Sequence, residues 1–263
     1  MKKIIAFALA MVLVLTALPV VADQLSDLQA KGSIVIATEG AWRPWTFHDE
    51  KNNLVGFDVE VAALIAEKLS LKAEFAEVDW DGIFAGIDSL RYDVAANGVE
   101  VTEERAKKYD FSIPYAYVRT ALVVRGDNTE INSFEDLAGK VTANSIGSTY
   151  QTLAESYGAT VTSVDTLDDT IQMLLYKRCD ATLNSQDAIS DYLTEHPEAD
   201  IKVVALTEEY SQVAIPVRKG ENETLLAAIN QAIEELTESG AITEISMRYF
   251  GADISPAILN AAE

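Results

Sequence analysis

Short apolar runs alternate with segments whose apolar residues recur at helical spacing, and that alternation sets the expected fold. The runs SIVIAT (33–38), YDVAANG (92–98), TALVVR (120–125), KVTANS (140–145) and IKVVAL (201–206) have the length and composition of strands. Between them, Val61, Leu64, Ile65 and Leu69 mark a helix over 57–69. A second helix over 222–239 carries Leu225, Leu226, Ile229, Ile233 and Leu236, and Gly240 ends it. Strands interleaved with helices predict an α/β fold with mostly parallel sheets. No repeat, low-complexity tract or Pro- or Ser-rich linker interrupts the chain, so any division into lobes must run through strands. The apolar stretches 120–125 and 213–217 are the expected crossings.

The first residues break this alternation. Lys2 and Lys3 precede an apolar run from Ile4 to Leu18, Pro19 closes it, and Val20, Val21 and Ala22 lead into Asp23. That is the pattern of a secretory signal peptide, residues 1–22, cleaved before Asp23. The run falls short of the roughly 20 apolar residues of a spanning helix. No cysteine near the cleavage point offers a lipid attachment site, so a periplasmic protein without an anchor is expected. Cys179 is the only cysteine, which leaves stability to packing rather than to a disulfide within the chain. With 20 basic and 42 acidic residues the formal net charge is −22, which argues against a nucleic-acid partner.

Several chemistries lack their residues. His48 and His196 sit in polar, turn-like settings with no second histidine, cysteine or spaced carboxylate set to build a metal site. There is no G-x-S-x-G elbow, and GKVTANSIGST (139–149) carries its lysine on the wrong side for a phosphate loop. No cofactor is expected.

Three stretches carry a family likeness: LVGFDVEVAALIAEKL (54–69), DWDGIFAGIDSLRYDVAANGVEVTEERAKKYDFSIPY (79–115) and GAITEISMRYFG (240–251). In order and spacing they resemble the solute-binding proteins of polar amino-acid ABC transporters, across nearly the whole chain after residue 22. EGAWRPWTFHDE and NGVEVTEER resemble the cystine- and cysteine-type binders most closely. The resemblance implies a type II periplasmic binding protein with two α/β lobes and two strand crossovers as the hinge. Residues 23–117 would begin lobe one, 118–215 form lobe two, and 216–263 return to lobe one. It also implies a monomer that closes on one amino acid and docks on a membrane permease, with no covalent chemistry.

The same resemblance assigns residues. Arg105 would hold the ligand α-carboxylate, for which a planar guanidinium is suited. Ser148 and Thr149 would meet that carboxylate from lobe two, at a strand-to-helix turn whose free N–H groups favour an anion. Trp42 and Trp80 would flank the ligand side chain, and Glu39 would touch its distal part, whereas Trp45 and Phe47 belong to the core. Apart from the resemblance, closeness in sequence to the cleft segments makes Arg43 and Arg119 candidates for a second carboxylate in a ligand such as cystine.

The chain departs from the family pattern at two places. Glu100 stands where relatives carry a hydroxyl residue, and Ser185 stands where relatives carry an aspartate for the ligand ammonium. The departures read as compensatory: Glu100 would take the ammonium, helped by the Gly98 carbonyl. The alternative is an exported dehydratase on the same scaffold with Glu100 as general acid.

Overall fold

In the computed structural model, which describes residues 23–220 and 222–260, the chain opens with α1 (Gln24–Lys31), β1 (Ser33–Thr38), β2 (Phe47–His48), β3 (Leu54–Val55) and α2 (Phe57–Lys68). It continues through β4 (Lys72–Glu77), α3 (Trp80–Asp88), β5 (Val94–Ala95), α4 (Glu103–Lys108), β6 (Tyr109–Phe111) and β7 (Ala116–Val118). A second unit comprises β8 (Thr120–Arg125), a 3-10 turn (Phe134–Leu137), β9 (Val141–Asn144), α5 (Thr149–Ser156), β10 (Thr160–Ser163) and α6 (Leu167–Leu175). It is completed by β11 (Ala181–Ser185), α7 (Gln186–Glu195), β12 (Ile201–Leu206) and β13 (Ser211–Val213). β14 (Pro216–Arg218), α8 (Glu223–Glu238), α9 (Ala241–Phe250) and α10 (Ala257–Asn260) rejoin the first unit. The expected signal segment 1–22 lies outside the described residues.

The first unit is a three-stranded parallel sheet in the order β4-β1-β5. Its central strand buries Ile34, Ile36 and Ala37, and Ile34 and Ile36 share a core with Val61 and Ile65 of α2 and with Leu225, Ile229 and Ile233 of α8. The helical spacing of those apolar residues is therefore the spacing of one buried face. Gly240, with φ of 77°, stands in the left-handed region between α8 and α9, where a side chain would be strained.

The second unit is a five-stranded sheet in the order β10-β9-β11-β8-β12. β8 lies inside it, antiparallel to both β11 and β12. Ala121 and Val123 face a core with Ile171, Leu174 and Ile189, while Leu122 and Val124 face another with Ile131, Leu137 and Ala154. Successive side chains point to opposite faces, so a strand covered on both sides reads as an unbroken apolar run.

That packing corrects two expectations. The parallel pattern holds for the smaller sheet and for β10-β9-β11, but β8 and β12 make the larger sheet mixed. Residues 120–125 are a sheet interior rather than a crossing, because only a sheet interior buries both faces of such a run. The two units are linked instead by short antiparallel pairs, β7 with β13 and β6 with β14. Cys179 is buried beneath the larger sheet, and burial pushes its thiol up to about 11, which keeps it protonated and unreactive.

Candidate functional site

The expected strand over 92–98 pairs with β1 only at Val94 and Ala95, after which the chain leaves the sheet. Asn97 and Gly98 form that exit. Gly98 has a φ of 56°, and a Cβ there would lie 2.5 Å from the Trp42 ring, so backbone and indole meet in a way that only glycine permits. Asp58, fully buried at the start of α2, accepts hydrogen bonds from the Gly98 N–H and, at 2.8 Å, from the Tyr115 hydroxyl. Burial pushes its carboxyl up to about 7 despite those bonds.

This exit opens onto a cleft between the two units with about 590 Å³ of empty space, part of it open to solvent. Around it stand the carboxyl ends of β1, β5, β9 and β11 and the N-terminal ends of α3, α5 and α6. Strand ends and helix N-termini direct unpaired N–H groups and positive dipole ends into the space, a setting that favours an anion. Glu39, Trp42, Trp80, Gly98, Glu100, Arg105, Ser148 and Thr149 all line it.

Arg105 stands over the ring of Trp80, 5.1 Å from its centroid, and over Phe84 at 5.3 Å. Its Nη1 donates to the Glu100 carbonyl at 2.9 Å and its Nη2 to the Gly147 carbonyl at 3.2 Å, so one guanidinium touches both units. Burial lowers its pKa from the ordinary value, opposed by the nearby Glu100 charge. Among the described residues lining the cleft it is the sole lysine or arginine.

Glu100 is 6% exposed, and its Oε1 accepts the Thr149 hydroxyl at 2.8 Å across the cleft. Among the described residues no ion pair joins the side chains of Glu100 and Arg105. Ser148 caps α5, accepting from the Gln151 N–H at 3.1 Å. Burial, and then the Glu100 charge, push the Tyr150 phenol well above its ordinary value.

Glu39 accepts from Asn97 Nδ2 at 2.5 Å, yet its carboxyl is pushed up to about 7 by burial, with Asp79 and Asp165 adding to the effect. A carboxyl raised in the folded protein binds a proton that the unfolded chain has already released. Stability from this group is therefore present below the unfolded pKa near 4.5 and is lost as pH rises towards 7. Asp58 acts in the same direction, so comparison with a variant isolates Glu39. Glu39→Gln is expected to lose less melting temperature than the unsubstituted protein between pH 5 and pH 7.5, both ligand-free, in calorimetric scans. Parallel curves would show that Glu39 is not burdened in this way.

Three expected positions fall elsewhere. Ser185 is 1% exposed and does not line the cleft; its hydroxyl caps α7 at Ala188 and accepts from Trp45 Nε1 at 3.3 Å. A strand-end serine that opens a helix is drawn to its own backbone, which turns it from the cleft. Arg43 is held at the rim by Asp191 at 3.0 Å and Glu195 at 3.3 Å, with its guanidinium over Phe47. Arg119 donates to the Thr207 carbonyl at 2.6 Å and lies over Tyr210. Neither arginine lines the cleft.

Trp45 is fully buried and stacked on Trp42 at 5.3 Å, as expected of a core residue. Asn97, Asn144 and Asn184 line the cleft although nothing in the reading of the sequence singled them out. Asn144 ends β9, Asn184 is one residue from the end of β11, and Asn97 lies two residues beyond β5.

The sequence matches the family described as bacterial extracellular solute-binding proteins, family 3, over residues 34–252. The chain belongs to that family. It is 38% identical over 234 residues to the L-cystine-binding protein TcyA of Bacillus subtilis, covering 89% of this chain and 87% of that one. A solved ancestral arginine-binding protein bound to glutamine superposes with a TM-score of 0.79 at 37% identity, covering 84% of this chain and 99% of that one. The L-cystine solute receptor of Neisseria gonorrhoeae, solved unliganded and open, gives 0.60 at 38% identity, covering 88% and 98%.

At 37% and 38% identity, the better match to the liganded family member agrees with the direct contacts across the cleft. Beyond Arg105–Gly147 and Glu100–Thr149, Trp42 Nε1 donates to Asn184 Oδ1 at 3.2 Å, and Arg43 ties the rim to α7. The protein is a solute-binding protein and not an enzyme. No helix among the described residues is long and apolar enough to cross a membrane.

Proposed function

We propose that this protein is an extracytoplasmic receptor for a polar L-amino acid, of the cystine or cysteine type favoured by its relatives, and that it hands the ligand to a membrane ABC permease. The observation that carries the reading is the polarity of the cleft. Arg105 of one unit and the N-terminus of α5 of the other come together across it, with the buried Glu100 carboxylate beside them, a complement to the two charges of a zwitterion. Arg105, Ser148 and Thr149 hold the carboxylate, Glu100 with the Gly98 carbonyl takes the ammonium, Trp42 and Trp80 wall the side chain, and Glu39 faces its distal part.

Residues 23–117 and 216–263 form one lobe and 118–215 the other, with the β6–β14 and β7–β13 pairs as the hinge. Contacts available only in the closed state shift the population towards closure, and the closed form is what a permease reads. The protein acts as a monomer in the periplasm after loss of residues 1–22. The dehydratase alternative has no support: Glu100 accepts a hydrogen bond from the Thr149 hydroxyl in a binding cleft, and the family is one of solute-binding proteins.

A thermal-shift screen against the common L-amino acids, cystine, sugars and metal ions tests this. A ligand at a hundredfold excess over its Kd adds about 2.7 kcal/mol, a rise of roughly 5–10 °C for a chain of this size. The expected responders are one or a few polar L-amino acids. A response to sugars or metals with none to amino acids would overturn the reading.

A further inference from the structure

Buried polar side-chain atoms nearly always find a partner, and one that lacks a partner calls for an explanation. Among the described residues, the unpartnered buried atom that belongs to a cleft-lining residue is Oδ1 of Asn144. Asn144 ends β9 and is 2% exposed. Its amide cannot simply be turned over. Nδ2 donates to the Leu183 carbonyl at 2.7 Å and approaches Thr182 Oγ1 at 3.5 Å, so the reverse orientation would set two acceptor oxygens against each other. The oxygen is thus a fixed, buried acceptor without a donor, on a residue that lines the cleft.

The other strand-end asparagine of the larger sheet is already engaged. Asn184 Oδ1 accepts from Trp42 Nε1 and from the Ser185 N–H at 2.9 Å, and Ser185 is turned away to cap α7. The cleft places Glu39, Glu100 and Asp165 against the single cation Arg105, so the group it lacks is a positively charged donor. We propose that Asn144 Oδ1 accepts a hydrogen bond from the α-ammonium of the bound amino acid, opposite the Glu100 carboxylate. This rests on the amino-acid reading of the cleft and adds to it a recognition residue on β9. An ammonium gripped by Glu100 from one unit and by Asn144 from the other is a contact that exists only when the cleft is closed. It would link occupancy to closure without an acidic residue in the larger sheet.

Titration calorimetry with L-glutamine, L-arginine and L-cystine as probes, beside melting curves of the ligand-free proteins, tests the assignment. Asn144→Leu fills the same volume without the acceptor. It is expected to weaken whichever probe binds by about 10- to 100-fold, the size of a lost hydrogen bond to a charged group, and to lower the ligand-free melting temperature as well, because the bond from Nδ2 to the Leu183 carbonyl is lost with the amide. Asn144→Asp keeps an acceptor, and with its second oxygen protonated it still donates to the Leu183 carbonyl as Nδ2 does, so at about pH 5 it is expected to retain most of the affinity that Asn144→Leu loses.

Unchanged affinity in Asn144→Leu would overturn the proposal while leaving the amino-acid reading intact. So would a loss shared equally by the Leu and Asp variants, the result expected if Oδ1 merely holds a buried water with the neighbouring Thr142 hydroxyl, which also lacks a partner. Failure of the unsubstituted protein to bind any amino acid would overturn both.

Discussion

Arg105→Ala is expected to abolish most amino-acid binding, with a loss of about 2 to 5 kcal/mol in affinity, the range for truncating one partner of a buried, hydrogen-bonded charge pair. Two of the guanidinium's donors are spent on the Glu100 and Gly147 carbonyls, which fix its plane, and Trp80 supports its face. The remaining N–H groups of a fork held in this way suit a carboxylate, so Arg105→Lys should rescue little: an ammonium offers a point charge without the paired geometry. A ligand amide separates recognition from mere packing. If Arg105 meets the carboxylate, the unsubstituted protein should bind the amide of its best ligand weakly, and Arg105→Ala should lose little further affinity for it. Equal additional losses for acid and amide would assign Arg105 to holding the cleft together through Gly147 rather than to the ligand.

The fold was legible because its signals are local. The runs at 33–38, 120–125 and 201–206 coincide with β1, β8 and β12, and the two longest apolar helical patterns with α2 and α8. The sheet order was not legible, since apolar runs report burial on two faces but not the direction of the neighbour that covers them. TALVVR therefore read as a crossing when it is an interior antiparallel strand.

The cleft divides in the same way. Arg105, Trp42, Trp80, Ser148 and Thr149 stand out by residue type and setting, and they converge on one space. The asparagines do not stand out, because an asparagine at a strand end is most often a turn former, and only the third dimension shows which atoms its amide leaves free. Arg43 misled for the opposite reason. Its closeness in sequence to Trp42 placed it by the cleft, but the acidic pair Asp191 and Glu195, one turn apart on α7, draws it to the rim.

Glu100→Gln is expected to cost about 2 to 5 kcal/mol of amino-acid affinity with the fold intact, if Glu100 supplies the charge that the ligand ammonium meets. The substitution is well suited to the question. Glutamine keeps an oxygen to accept the Thr149 hydroxyl, and the hydrogen bond from Arg105 ends on the main-chain carbonyl, which does not change. What is removed is the negative charge in a site that is 6% exposed, where an unmatched ligand cation would be costly to bury. The place to restore that charge follows from the geometry. Ser185→Asp would put a carboxylate at the cap of α7 beside Trp45, away from the ligand space, and should rescue nothing. Asn184→Asp would leave an oxygen to accept from Trp42 and from the Ser185 N–H and would return a carboxylate to the cleft. The double variant Glu100→Gln, Asn184→Asp should therefore recover part of the lost affinity in titration calorimetry. Unchanged affinity in the single variant would remove Glu100 from the ligand's partners and leave it as the residue that fastens α5 across the cleft through Thr149.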